Sequence, residues 1–168
     1  MSKKETHFLQ LLEAHKGILY KICCIYQDNQ QDQEDLQQEI ILQLWQSYDS
    51  FRGESQFSSW MYRVALNTAI VFFKKKNRRP DQTSLPANMD PPEETANRTE
   101  KEEQLTFFYK AIRHLDKVEK ALIFLYMEDQ TAGEIANALG LSSVNIRVRL
   151  NRVKTKLKQI IKSMGYEY

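Results

Sequence analysis

Two cysteines, five glycines and four prolines are few for 168 residues. The cysteines are adjacent, Cys23 and Cys24, inside a helical pattern. Neighbouring helix positions point about 100° apart, which suits neither a disulfide framework nor a metal site. Both are read as small core residues in a reducing compartment. No stretch approaches the roughly 18 uninterrupted apolar residues of a spanning helix. The segment from Met1 to His7 lacks an apolar signal-peptide region, so a cytosolic location is expected. Alternation of the β-strand kind is absent, and there is no internal repeat. Missing too are a Ser/His/Asp grouping, a P-loop, a Gly-rich phosphate loop and any metal-ligand spacing. His7, His15 and His114 are isolated, and His15 falls on an apolar face, where packing explains it. No enzyme, cofactor, metal or small-molecule substrate is expected.

What remains is 42% hydrophobic and 11% aromatic, which argues against global disorder and allows one respectable core or two small ones. Lys plus Arg is 24 and Asp plus Glu is 22, a balance that conceals strong segregation. Residues 28–54 carry seven acids against one arginine, and residues 55–80 carry six basic groups and no acid. Residues 81–103 return to a net −5, and residues 142–162 hold seven basic groups and no acid. Basic segments set apart by acidic ones are the electrostatic footprint of a nucleic-acid binder.

All four prolines fall between Pro80 and Pro92, in a run without periodicity that acids follow. That run reads as a linker over 81–103 between lobes 1–80 and 104–168. Each lobe is expected to be a small helical unit, giving an all-α fold of two domains. In the first lobe, Phe8, Leu11, Leu12, His15, Ile18, Leu19 and Ile22 mark one helix. Leu36, Ile40, Leu44 and Tyr48 mark a second, and Met61, Val64, Ala65, Thr68 and Phe72 a third. In the second lobe, Leu105, Phe108, Tyr109 and Ile112 mark a helix. Asp116 with Glu119, and Thr131 with Glu134, are capping boxes that open two more.

From Thr131 the chain reads as a helix-turn-helix. Small Ala136 permits close approach, Gly140 suits a left-handed turn, and Ile146 fills the angle between the helices. Ser142 or Ser143 caps the last helix, whose apolar stripe is Ile146, Leu150, Val153, Leu157 and Ile161. Asn145, Arg149, Arg152 and Lys156 form an opposite stripe flanked by Arg147 and Lys154. A basic, acid-free helix face fits the major groove, its first residues at base edges and its later cations on phosphate. The first lobe has its own basic and aromatic segment. Arg63, Asn67, Lys74 and Arg78 share a helical stripe near Phe57, Trp60, Tyr62, Phe72 and Phe73. Such rings can stack on unpaired bases while cations hold the backbone, although Trp60 and Phe72 are expected in the core.

These residues resemble a known family. Asp35-Leu-Gln-Gln-Glu39, Trp45, Phe51-Arg-Gly and Trp60-Met-Tyr-Arg-Val-Ala-Leu-Asn67, with basic residues through Arg79, are similar to region two of bacterial sigma factors. Leu115 through Leu157 resembles region four, and the short linker resembles the extracytoplasmic-function group. The resemblance implies a protein that binds core RNA polymerase, through the β′ clamp helices and the β subunit, and directs it to promoter DNA. It implies polymerase contacts at Asp35, Gln38, Glu39 and Gln43, on the acidic segment. It implies minus-ten recognition and melting by Arg52, Ser55, Phe57, Arg63 and Asn67. Lys74, Lys75, Arg78 and Arg79 would hold phosphates of the adjoining duplex. Minus-thirty-five recognition would fall to Ser143, Asn145, Arg147 and Arg149, with Arg152 and Lys156 on the backbone. Many members have Gly-Thr where this chain has Val144-Asn145, and Asn can contact adenine in bidentate fashion, so the usual preference is not carried over. By analogy alone, a membrane-linked anti-sigma partner is also expected. Two other readings compete. One is an autonomous helix-turn-helix regulator acting as a dimer without polymerase; the other is an adaptor that binds polymerase without melting DNA.

Overall fold

The computed structural model describes residues 2–78 and 99–165, with no side chain described for residues 73–78. The linker run up to Arg98, with its four prolines, lies outside the described residues. Eight α-helices and one 3-10 turn follow each other, without a strand among the described residues. They are α1 (Lys3–Ala14), α2 (Lys16–Tyr26), α3 (Gln30–Ser47), the turn Tyr48–Ser50 and α4 (Phe57–Arg78). The second lobe holds α5 (Glu100–Arg113), α6 (Lys117–Met127), α7 (Ala132–Leu139) and α8 (Ser143–Ser163).

Local chemistry accounts for most boundaries. Ser2, Asp116 and Thr131 each close a capping box with the glutamate three residues on. A fourth box, Thr99 with Glu102, opens α5 inside the stretch expected to be linker, and Glu100, Glu102 and Glu103 suit its positive N-terminus. The first expected helix is broken in two at His15. Its φ of −118° and ψ of 13° leave helical geometry, and its Nδ1 lies 2.8 Å from the Leu11 carbonyl oxygen. Gly140 takes φ +68°, ending α7, and the Leu141 N–H donates to the Ala136 carbonyl. A Cβ at Gly140 would meet nothing within 4 Å, so the strain of alanine there is backbone strain alone. Gly140→Ala is expected to cost about 1–2 kcal/mol in urea unfolding, and Gly140→Asn less.

Both lobes feed one continuous set of buried residues. Leu19, Ile22, Leu36, Ile40, Leu44, Met61 and Leu66 fill the first lobe; Ile112, Leu122, Ile135, Ile146 and Val153 fill the second. Cys23 is in the core, where burial pushes its thiol up to about 12, and Cys24 is half-buried. Helix α6 is buried at every position from Lys120 to Leu125, because α8 covers one side and α2 and α4 cover the other.

The lobes therefore dock on each other. Phe124 meets the Tyr62 ring edge-on at 5.9 Å, and the Tyr26 hydroxyl donates to the Lys117 carbonyl at 2.5 Å. Glu128 accepts from Lys21 Nζ at 2.6 Å and from the Tyr62 hydroxyl at 3.1 Å. Arg113 pairs with Asp28 at 3.0 Å. Burial, with Glu128 beside it, holds the Tyr62 hydroxyl well above its ordinary pKa, so it stays a donor.

Candidate nucleic-acid and polymerase interfaces

Ser142 caps helix α8, its Oγ accepting the Asn145 N–H at 3.2 Å. Ile146, Val153, Leu157 and Ile161 are buried and Leu150 is half-buried, so the expected core face is the observed one. Ser143, Arg147, Arg149 and Arg152 are exposed, and Asn145 is half-buried. Arg149 Nε donates to Asn145 Oδ1 at 2.8 Å. Lys156 is exposed too, but its Nζ reaches back to Glu119 on α6 at 2.6 Å. Lys154 sits over the Tyr126 ring at 3.5 Å from its centroid. These two cations tie α8 to α6 and leave Arg147, Arg149 and Arg152 on the N-terminal half of the outer face, with exposed Lys158 and Lys162 further along. Val144 and Val148 lie among those arginines, 71% and 46% exposed. Charge alone does not reveal them, although 100° per residue sets both opposite Ile146 and Val153.

The first-lobe residues expected on DNA are not all alike in the structure. Arg52 and Ser55 are exposed on the loop before α4, and Gly53 turns it with φ +72°. Phe57 is 7% exposed, with ring centroids 5.4 Å from Trp60 and 5.5 Å from Phe51, so it packs where stacking on a base was expected. Trp60 and Phe72 are half-buried against the core. Arg63 and Asn67 are both exposed but face different hollows. Ser55, Trp60 and Arg63 line a cleft of about 430 Å³ whose other wall is Glu134, Asn137 and Ala138 of α7. Asn67 shares a hollow with Glu39, Gln43 and Val71, between α3 and α4. The side chains of Lys74, Lys75 and Arg78, and all of Arg79, lie outside the described residues.

On α3, Asp35 and Gln38 are exposed, while Glu39 and Gln43 are half-buried and joined by a 3.1 Å hydrogen bond. Leu42 lies among them, 47% exposed, and with Leu9 of α1 it borders an apolar hollow floored by Phe8, Ile41 and Trp45. The acidic segment thus carries an apolar centre that its charge did not announce. Among the described residues no group of His, Cys, Asp and Glu could hold a metal ion. Nor is any described helix long and apolar enough to cross a membrane.

One helical lobe with an exposed α3 face of acids around Leu42, and a second closing on a capped helix-turn-helix with an acid-free outer face, define a two-part helical protein. The family model for sigma-70 region 2 matches residues 11–79, and that for sigma-70 region 4 matches residues 108–157. The ECF RNA polymerase sigma factor SigW of Bacillus subtilis is 23% identical, over 94% of this chain and 90% of its own length. The ECF sigma factor SigG of Mycobacterium tuberculosis is 27% identical over 88% of this chain, but the match spans only 47% of that protein. The fold is shared with Bartonella quintana RpoE, solved in complex with the anti-sigma factor NepR, at TM-score 0.66 and 19% identity, covering 94% and 96% of the two chains. The chain belongs to the extracytoplasmic-function sigma factors.

Proposed function

We propose that this chain is a promoter-specificity subunit that acts in the cytoplasm and has no catalytic role of its own. It binds core RNA polymerase through the α3 face, reads the minus-ten element with the first lobe and reads the minus-thirty-five element with α8. Residues 1–80 and 104–168 act as the two regions, with 81–103 joining them. The observation that carries this reading is the pairing, on one chain, of an acid-free helix α8 with a second exposed polar surface on α4, where Arg63 and Asn67 border neighbouring hollows. An autonomous regulator needs only the first of these. An inhibitory protein partner, an anti-sigma factor linked to the membrane, belongs to the same proposal. Its support is the family and the NepR complex of the structural relative.

Run-off transcription reconstituted from core polymerase and the full chain tests the reading, using promoters found by mapping transcript starts after overexpression. Promoter-dependent transcripts are the expected result; absence of both polymerase binding and transcripts refutes it. Arg63→Ala with Asn67→Ala is expected to keep polymerase binding and lose open-complex formation, seen as missing permanganate reactivity at minus ten. Unchanged melting by that variant would point to an adaptor.

A further inference from the structure

The outer face of α8 holds more than charge. Val144 and Val148 are one helical turn apart, roughly 40° from each other by angular arithmetic, and both point away from the stripe buried against α5, α6 and α7. Both are exposed, at 71% and 46%, among neighbours that are otherwise polar. No intramolecular packing explains two branched apolar side chains on the solvent face, and valine is a poor helix former. The segment 142–162 has seven cations and no acid, so the partner that charge selects for this face is a polyanion. In a DNA major groove one feature is apolar: the thymine 5-methyl group.

The polar pair beside the valines is equally specific. Arginine Nε can only donate, so the 2.8 Å bond to Asn145 occupies one lone pair of the asparagine carbonyl oxygen and holds Arg149 beside it. Arg149 keeps its two terminal nitrogens, again donors. A bidentate contact to adenine needs one acceptor and one donor from asparagine, and the bond to Arg149 leaves one lone pair of Oδ1 for it while fixing where the amide sits. Two donors from arginine match guanine O6 and N7. The arrangement therefore adds a guanine-reading Arg149 beside Asn145.

We propose that Val144 and Val148 are specificity residues that contact thymine methyl groups in the minus-thirty-five duplex, next to a guanine read by Arg149, with Asn145 as the residue that positions Arg149. The inference rests on the sigma-factor reading above. The partner is double-stranded DNA of defined sequence, and the sequence it favours has guanine adjoining thymine.

The test uses the full chain in reconstituted holoenzyme, on a promoter fragment identified by transcript-start mapping. Each thymine of the minus-thirty-five element is replaced in turn by deoxyuridine, which removes the methyl group and keeps every hydrogen-bonding atom. At one or two of these positions binding is expected to weaken about fourfold per methyl, the size of one buried carbon. Val144→Ala with Val148→Ala is expected to bind thymine and uracil templates equally. These are exposed positions where alanine favours the helix, so loss of folding is not at issue. Guanine-to-adenine exchange should weaken wild type about tenfold or more, Arg149→Ala not at all, and Asn145→Ala only in part. Promoter-directed transcription with no methyl effect at any thymine overturns the inference and leaves the sigma-factor reading standing. So does an equal loss by the double variant on both templates, which would mark the valines as a contact to a polymerase subunit. Absence of any promoter-directed transcription overturns the reading on which the inference rests.

Discussion

Alanine at Phe124 lowers the unfolding free energy by about 3–5 kcal/mol. The ring is 1% exposed and lies on α6, the helix both lobes share. One face of its surroundings is the second-lobe core; the other is Tyr62 on α4, 5.9 Å away edge-on. Truncation forfeits the transfer free energy of the ring, and the space left is lined by helices that their own cores hold apart. Leucine should recover more than half of the loss. The measurement is urea denaturation followed by circular dichroism and by the fluorescence of Trp45 and Trp60, both in the first lobe. Both signals are expected to shift to lower urea together. A tryptophan transition that stays in place would mean that the lobes unfold separately and Phe124 serves only its own.

Charge reversal at Glu128 separates the lobes. Its carboxylate is shielded, with 15% of the side chain exposed, and receives both Lys21 and the Tyr62 hydroxyl. Glu128→Lys sets two ammonium groups against each other in that space and leaves the tyrosine without its acceptor. Loss of one member of such a pair costs about 1.5–3 kcal/mol, before any repulsion is added. Lys21 is 46% exposed, so solvent and salt reduce the ionic part. The expected result is a larger radius of gyration in solution scattering with unchanged helix content. Wild type should move in the same direction, by less, as salt is raised. Separation also uncovers the cleft that Arg63 shares with Glu134 and Asn137, so single-stranded minus-ten DNA should bind the Glu128→Lys chain more tightly than wild type. Equal affinities with a demonstrably expanded chain would show that the cleft is open enough already.

Legibility in the sequence followed the range of the interactions concerned. The capping boxes at Asp116 and Thr131, the left-handed Gly140 and the stripe from Ile146 to Ile161 were all readable, because each depends on residues within a turn or two of one another. The break at His15 was not readable from apolar spacing, since the hydrophobic period continues across it. The resemblance and its aromatic ring put Phe57 at the minus-ten element, and the fold surrounds it with Phe51, Trp60 and His15. Lys156 looked like a phosphate contact until α6 brought Glu119 within 2.6 Å, across 37 positions of sequence. Val144 and Val148 follow from the same angular arithmetic as the basic stripe, because both lie opposite the buried face of α8.

By itself the sequence determined the helices, their caps, the turn and the segregation of charge, because backbone propensity, side-chain capping and periodic burial act over a few residues. It determined the family as well, since the motifs keep their order and spacing. Only the tertiary structure decided that the lobes share α6 as a common core and that Glu128 joins them. It alone separated the cations of α8 that face outward from those tied to α6. Those outcomes depend on pairs of groups far apart in the chain, and no local pattern specifies which distant partner a side chain meets.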